Sequence, residues 1–375
     1  MPDKNLAGNR FRFRLLLSAL MISLFSGLAV AEPVLGDDVP WLAEVTQPKI
    51  PANAKPLRPI LTDTDGQPIT SRAAWESKRK EVLADWSEFL GIYPQSEAPL
   101  EVEQLSTEKL EHGTRTLIQY QIEPGRKVRA YLLKPLLNEA KGNQKLPAVV
   151  AFHGTSTTTF QKLVGLDGED ERHLGLELMK QGFLVICPEN YLWEEKKYLD
   201  SVKKVLTLHP ESRGMAVMLL DGMRAVDVLE TLPEVDTDRI STYGHSLGAK
   251  EAMYLAAFDS RIQAAVASEG GVGMYSTNWE APWYLGPEVK SDSFDRDHHE
   301  LIALVAPRPF LVLGGESGRG CSDGDRSWPH IAVGQKVAKL YGESVRIGLY
   351  NHGEGHRISP PSGKKMIEWL KAYTR

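Results

Sequence analysis

The residues Gly244-His245-Ser246-Leu247-Gly248 have the spacing of a nucleophile elbow, a serine with glycine two places to either side. A short apolar run precedes the pentapeptide and an alanine-rich stretch follows it, so Ser246 falls on a strand-to-helix turn. Such a turn needs glycines where side chains would collide, and it lifts the serine hydroxyl to where a base can reach it. A serine is a weak nucleophile alone and needs a histidine, an acid that orients the histidine, and amides that receive an oxyanion. In the order serine, acid, histidine, the base follows the last strand. Asn351-His352-Gly353-Glu354-Gly355-His356-Arg357 offers two histidines. His356 lies farther into the loop behind Gly355 and is preferred, with His352 packing locally near the strand end. The loop from Gly314 to Pro329 holds Glu316, Asp323 and Asp325. Asp325, at the return of the loop, is the first choice for the acid, and Glu269 in Ser268-Glu269-Gly270-Gly271 is a further candidate. For the oxyanion, the pattern points to the amides of Leu247 and of Thr155, in His153-Gly154-Thr155. His153 reads as a brace for that loop rather than a base.

The elements that must position these groups follow from periodicity. Residues 71–90 place Trp75, Val82, Leu83, Trp86 and Leu90 at helical spacing, and Gly91 ends the run. From about 101 to 134 the chain alternates around Pro124-Gly125, which predicts an antiparallel hairpin. Beyond Leu146, apolar runs at Ala148–Phe152, Phe183–Cys187, Ile240–Tyr243, Ala264–Ala267, Phe310–Leu313 and Val345–Tyr350 alternate with helical segments. Strands apolar on both faces and separated by helices predict a parallel, doubly wound α/β sheet. The expected organisation is residues 32–100 as an arm and helix, then residues 101–375 as a catalytic domain.

Lys4, Arg10, Arg12 and Arg14 precede an apolar run that closes on Ala29-Val30-Ala31, which reads as a signal peptide over residues 1–31. Its removal leaves 344 residues with 40 Lys+Arg against 48 Asp+Glu, a formal charge of −8. That balance disfavours nucleic acid and anionic membrane surfaces as partners. The expectation is a secreted or periplasmic protein, with no membrane partner once the signal is cleaved. Cys187 and Cys321 form no disulfide framework and leave one bridge or two free thiols open. No cofactor is implied. Asp295-Arg296-Asp297-His298-His299-Glu300 is rich in metal-ligating types, but adjacent side chains do not converge, so no metal site is expected there.

Gly244–Gly248, Phe152-His153-Gly154 and Gly355-His356 resemble the α/β-hydrolase superfamily, and the resemblance runs from about Trp75 to the end. Asp297–Pro309 and Ser268–Gly271 are similar, more narrowly, to bacterial acetylxylan-esterase-like and glucuronoyl-esterase-like hydrolases. That resemblance implies a serine esterase acting on a carbohydrate ester, acetyl or uronoyl. In glucuronoyl esterases a glutamate after the strand following the nucleophile can serve as the acid, a place that Glu269 holds, and some keep an aspartate where Asp325 stands. A lysine four residues after the serine helps hold the uronate, the place of Lys250. Those enzymes carry arginine where this chain has Leu247, so a simple acetyl ester suits it equally well. Trp193, Trp279 and Trp283 are placed either to rim the site, with Trp283 the candidate sugar contact, or to cover the sheet. Rival readings are a prolyl-oligopeptidase-like peptidase, which usually carries an additional β-propeller, and an inactive binding module with the same fold.

Overall fold

Strand burial sets the architecture. In the stretch Leu146–Phe152, Ala148, Val150 and Phe152 enter one hydrophobic core while Val149 and Ala151 enter another on the opposite face. A strand with two buried faces requires helices above and below it. The computed structural model describes residues 39, 56–93, 97–136, 145–168, 172–342 and 345–374. The signal peptide expected at residues 1–31 and most of the proline-rich arm lie outside the described residues.

The strands are β1 (Glu103–Leu110), β2 (Gly113–Glu123), β3 (Arg126–Pro135), β4 (Leu146–Phe152), β5 (Leu184–Pro188), β6 (Val235–His245), β7 (Ile262–Ser268), β8 (Phe310–Gly314) and β9 (Ile347–Asn351). They form one sheet in the order β1-β2-β3-β5-β4-β6-β7-β8-β9. Pairs from β5 to β9 are parallel, while β2 is antiparallel to both β1 and β3, and β3 is antiparallel to β5. The α/β class and the antiparallel start are as expected, with three strands where the alternation suggested a hairpin of two. β9 takes the sheet edge.

The helices are α1 (Arg72–Leu90), α2 (Leu174–Lys180), α3 (Tyr198–Leu208), α4 (Gly214–Glu230), α5 (Leu247–Phe258), α6 (His299–Val305), α7 (Trp328–Lys339) and α8 (Pro360–Thr374). Ser71 caps α1 by accepting from the Ala74 N–H at 3.3 Å, and Gly91 closes it in the left-handed conformation. α1 buries Trp75, Val82, Trp86 and Leu90, and the Trp86 indole donates to Glu300 at 2.6 Å. The segment rich in metal-ligating types is thereby spent on packing. Asp297 accepts from His330 Nε2 (3.0 Å) and the Met274 N–H (3.0 Å), His298 takes the Tyr254 hydroxyl (2.9 Å), and His299 donates to the Arg58 carbonyl (2.9 Å). Burial holds His298 neutral, pushing its pKa down to about 3. Both cysteines are free thiols, Cys187 buried and Cys321 partly exposed.

Candidate active site

Ser246 links β6 to α5 with φ 59°, one of four non-glycine residues at positive φ among the described residues. The flanking glycines are required sterically. A Cβ on Gly244 would strike the Gly248 backbone, and one on Gly248 would strike the Phe152 carbonyl. The turn is tied to the next strand, since the Ser246 N–H donates to the Ser268 carbonyl at 2.8 Å. The result is a half-buried hydroxyl at the carboxyl edge of the sheet, where ligands of open parallel sheets bind.

His356 meets it. Its Nε2 lies 2.9 Å from Ser246 Oγ, a hydrogen bond in which the hydroxyl can donate to the imidazole. On the other side of the ring, Nδ1 lies 3.6 Å from Glu269 Oε2. That is a charge contact slightly longer than a hydrogen bond, as unliganded catalytic pairs often are. Glu269 follows β7 directly and is also at positive φ, 57°. Its carboxylate is fully buried yet well supplied with donors: the Gly315 N–H, the Ser322 N–H at 2.7 Å and the Asp323 N–H at 3.4 Å. His352 stands 3.4 Å from the other carboxylate oxygen. Burial pushes the Glu269 pKa up, but His352, His356 and the Ser322 and Gly315 amides outweigh it and hold the carboxyl down at about 2. Glu269 is therefore a fixed anion between two imidazoles.

The structure sends Asp325 elsewhere. Its Oδ1 accepts from the Asn351 side chain at 2.7 Å and its N–H donates to Glu316, so this carboxylate makes no ion pair with His356. Asp323 is buried and accepts from the Gly271 and Val272 amides (2.9 and 2.7 Å) and the Ser327 hydroxyl (2.7 Å). Those bonds fasten the segment just after Glu269. His352 is a neighbour of Glu269 rather than of the serine. Its Nδ1 accepts from the Glu354 N–H at 3.3 Å, which leaves Nε2 to carry the proton toward Glu269.

The other expected residues divide. Leu247 opens α5, where the first N–H groups have no partner within the helix, and its side chain is buried. Thr155 is exposed two residues past His153, and Gly154 between them packs against Ser246. His153 braces this loop. Its Nδ1 donates to the Gly154 carbonyl (2.9 Å), its Nε2 accepts from the Asn190 N–H (3.1 Å), and burial lowers its pKa to about 4. Lys250 is only 3% exposed. Its ammonium donates to the Gly270 carbonyl and sits 3.8 Å from the Trp279 ring centre. Burial lowers its pKa to about 7, against the raising charges of Asp323 and Glu280. Trp279 is fully buried, whereas Trp193 and Trp283 are half-buried and both touch Tyr198. Among the described residues no group of three His, Cys, Asp or Glu side chains is arranged to hold a metal ion.

A sharp serine turn after an interior strand of a mostly parallel sheet, faced by a histidine after the last strand, is the arrangement of the α/β hydrolases. Comparisons with known proteins agree. Residues 137–287 match the model of the dienelactone hydrolase family. A hydrolase of Bacillus subtilis (strain 168), YtaP, is 25% identical over 290 residues, covering 72% of this chain and 93% of the relative. A 4-O-methyl-glucuronoyl methylesterase of Hypocrea jecorina is 32% identical over 164 residues, about a third of either chain (34%). A solved glucuronoyl esterase from Solibacter usitatus shares the fold with a TM-score of 0.68 at 19% identity, covering 86% of this chain and 99% of that one. The chain has the α/β-hydrolase fold, and its similarity to the dienelactone hydrolase family over residues 137–287 and to glucuronoyl methylesterases supports a hydrolase of carboxylic esters.

Proposed function

We propose that this protein is a secreted esterase that cleaves an acyl ester on a carbohydrate through a covalent acyl-enzyme. The observation that carries the reading is the line Ser246–His356–Glu269, with contacts of 2.9 and 3.6 Å. Ser246 Oγ attacks the carbonyl carbon while His356 Nε2 takes its proton. The oxyanion faces the Leu247 and Thr155 amides, each donor worth about 3 kcal/mol. His356 returns the proton to the leaving sugar hydroxyl, and water, deprotonated by the same nitrogen, releases the acid. Glu269 keeps the imidazole oriented and stabilises its charged form. Glu269 is assigned this role ahead of Asp325 because it alone of the two contacts His356.

Carbohydrate esters are favoured by the likeness to glucuronoyl esterases, and acetyl over uronoyl esters by the nucleophile turn itself. Leu247 and Lys250 are 1% and 3% exposed, so the turn places no open cation beside the scissile carbonyl to hold the uronate that a uronoyl ester would release. A panel of acetylated xylan, methyl glucuronate esters and a short chromogenic ester tests this. The expected order puts acetyl esters first by kcat/KM, with activity abolished in Ser246→Ala. A preference for the glucuronate ester would shift the substrate to uronoyl groups, and no turnover of any ester would sink the reading.

A further inference from the structure

A cleft of about 430 Å³ opens at the carboxyl edge of the sheet beside the candidate active site. It is lined by the start of β3, the residues after β5 and one residue of α3. Because β3 runs antiparallel to β5, with Ala130 opposite Pro188, the turn between β2 and β3 reaches the same edge as Ser246. Neighbouring strands lie β6, β4, β5, β3, which puts the cleft two to three strand spacings, about 10–14 Å, from the nucleophile. Trp193 joins the two places. It lines the cleft, and its ring meets His153 edge-on at 5.0 Å, in the loop that supplies Gly154 to Ser246.

The chemistry of the lining is specific. It is strongly charged, yet every cation in it already has a carboxylate. Arg126 forks onto Asp221 and reaches Glu194 at 2.9 Å, and Arg129 holds Glu189 at 2.8 Å. Lys204 pairs with Glu194 at 3.4 Å and Glu195 at 3.1 Å, and Lys127 with Glu101 at 3.1 Å. An anionic ligand would have to displace these pairs, and an apolar one would strand their hydrogen-bonding capacity. Fixed, mutually neutralised donors and acceptors around a half-buried indole suit a ring with an apolar face and a rim of hydroxyls.

We propose that this cleft is a subsite for an uncharged pyranose of the glycan chain that carries the ester, with Trp193 stacking on the ring and the Arg129–Glu189 pair bonding its hydroxyls. The proposal rests on the carbohydrate-ester reading above. A chain lying along the sheet edge would place its esterified sugar at Ser246 and a sugar further along the same chain in the cleft.

The test titrates the protein with unesterified xylo-oligosaccharides of increasing length by calorimetry, at low and high salt. Trp193→Ala and Arg129→Ala are titrated alongside, and thermal unfolding shows that each variant is folded. Saturable binding that changes little with salt and weakens two- to tenfold in either variant is expected, the range an aromatic contact supplies. In turnover, the ratio of KM for an esterified oligosaccharide to KM for a small chromogenic ester should rise by the same factor. If wild type hydrolyses carbohydrate esters but binds no unesterified chain, the subsite is overturned while the activity stands. Variants that bind like wild type overturn its location, and tighter, steeply salt-dependent binding of a polyuronate overturns its neutrality. Turnover of simple esters with none of carbohydrate esters overturns the substrate class instead, and the titration still decides whether the cleft takes sugars.

Discussion

Glu269→Gln is the sharpest perturbation this site allows, because it removes one charge and almost no volume. The carboxylate faces donors on both oxygens, with Gly315 N–H and His352 at Oε1 and Ser322 N–H and His356 at Oε2. An amide has one accepting oxygen, so in either orientation its NH2 must face a backbone N–H. The imidazolium formed during attack loses its counter-charge, and the ring loses the group that fixes its tautomer. The comparable asparagine substitution in a serine protease triad costs about 10⁴ in kcat. The expected loss here is about 10³–10⁴ in kcat, or roughly 4–5.5 kcal/mol of barrier. The misdirected amide adds about 1–3 kcal/mol of lost stability. Asp325→Asn is the matched control, since Asp325 is bonded to Asn351 and makes no ion pair with His356. Its kcat should stay within about threefold of wild type, the scale of a partly exposed polar change of ~0.5 kcal/mol. The assay is steady-state hydrolysis of a short chromogenic ester, with melting temperature recorded for every variant. A folded Glu269→Gln enzyme that keeps more than a tenth of wild-type kcat, or a hundredfold loss in Asp325→Asn, would refute the assignment.

Other outcomes follow from the same contacts. His352→Gln removes a partner of Glu269 without touching Ser246, and should lower kcat about tenfold, ~1.4 kcal/mol, with KM unchanged; a change confined to KM would argue against it. The Glu269 pKa is about 2 against 4.5 when unfolded, so its stabilisation is complete above about 4.5 and lost as pH falls toward 2. The melting-temperature gap between wild type and Glu269→Gln should therefore narrow between pH 5 and pH 3, and a constant gap would contradict the shift. Lys250 loses its proton near 7 when folded and near 10.5 when unfolded, so the unfolded chain binds more protons between those values and stability rises with pH across them. Melting curves from pH 7 to 9.5 should show that rise in wild type and a flatter one in Lys250→Met; parallel curves would count against it.

The strand-and-helix rhythm and the serine turn were legible because both are local. Apolar runs mark buried strands, and two glycines two residues from a serine mark a turn that nothing bulkier permits. That His356 meets Ser246 was readable for a similar reason, since it lies beyond Gly355 after the last strand. The carboxylate that faces His356 was harder. Asp325 and Glu269 follow strands β8 and β7, and chain order suits either one. The difference lies in long-range contacts: Asn351 draws Asp325 toward the end of β9, while amides of the 315–323 loop close around Glu269. No periodicity records such a choice. The local sign that existed was Ser268-Glu269-Gly270-Gly271, whose glycines suit a chain that turns sharply, and Glu269 itself adopts φ 57°. The short helix α3 was also unread, although it lends Lys204 to the cleft beside the site.

The buried anion at Glu269 does more than serve one imidazole. Three contacts, to the amides of Gly315, Ser322 and Asp323, bind both ends of the loop that follows β8 to a single carboxylate. The loop between them leans on the histidine strand-end, where the Arg319 carbonyl accepts from the His356 N–H at 3.4 Å. Buried charge and loop order are thus one cooperative unit. On the proposed mechanism, protonating or deleting that carboxylate would also unfasten the segment that seats His356, so acid inactivation and exposure of residues 315–323 to a protease should share one midpoint.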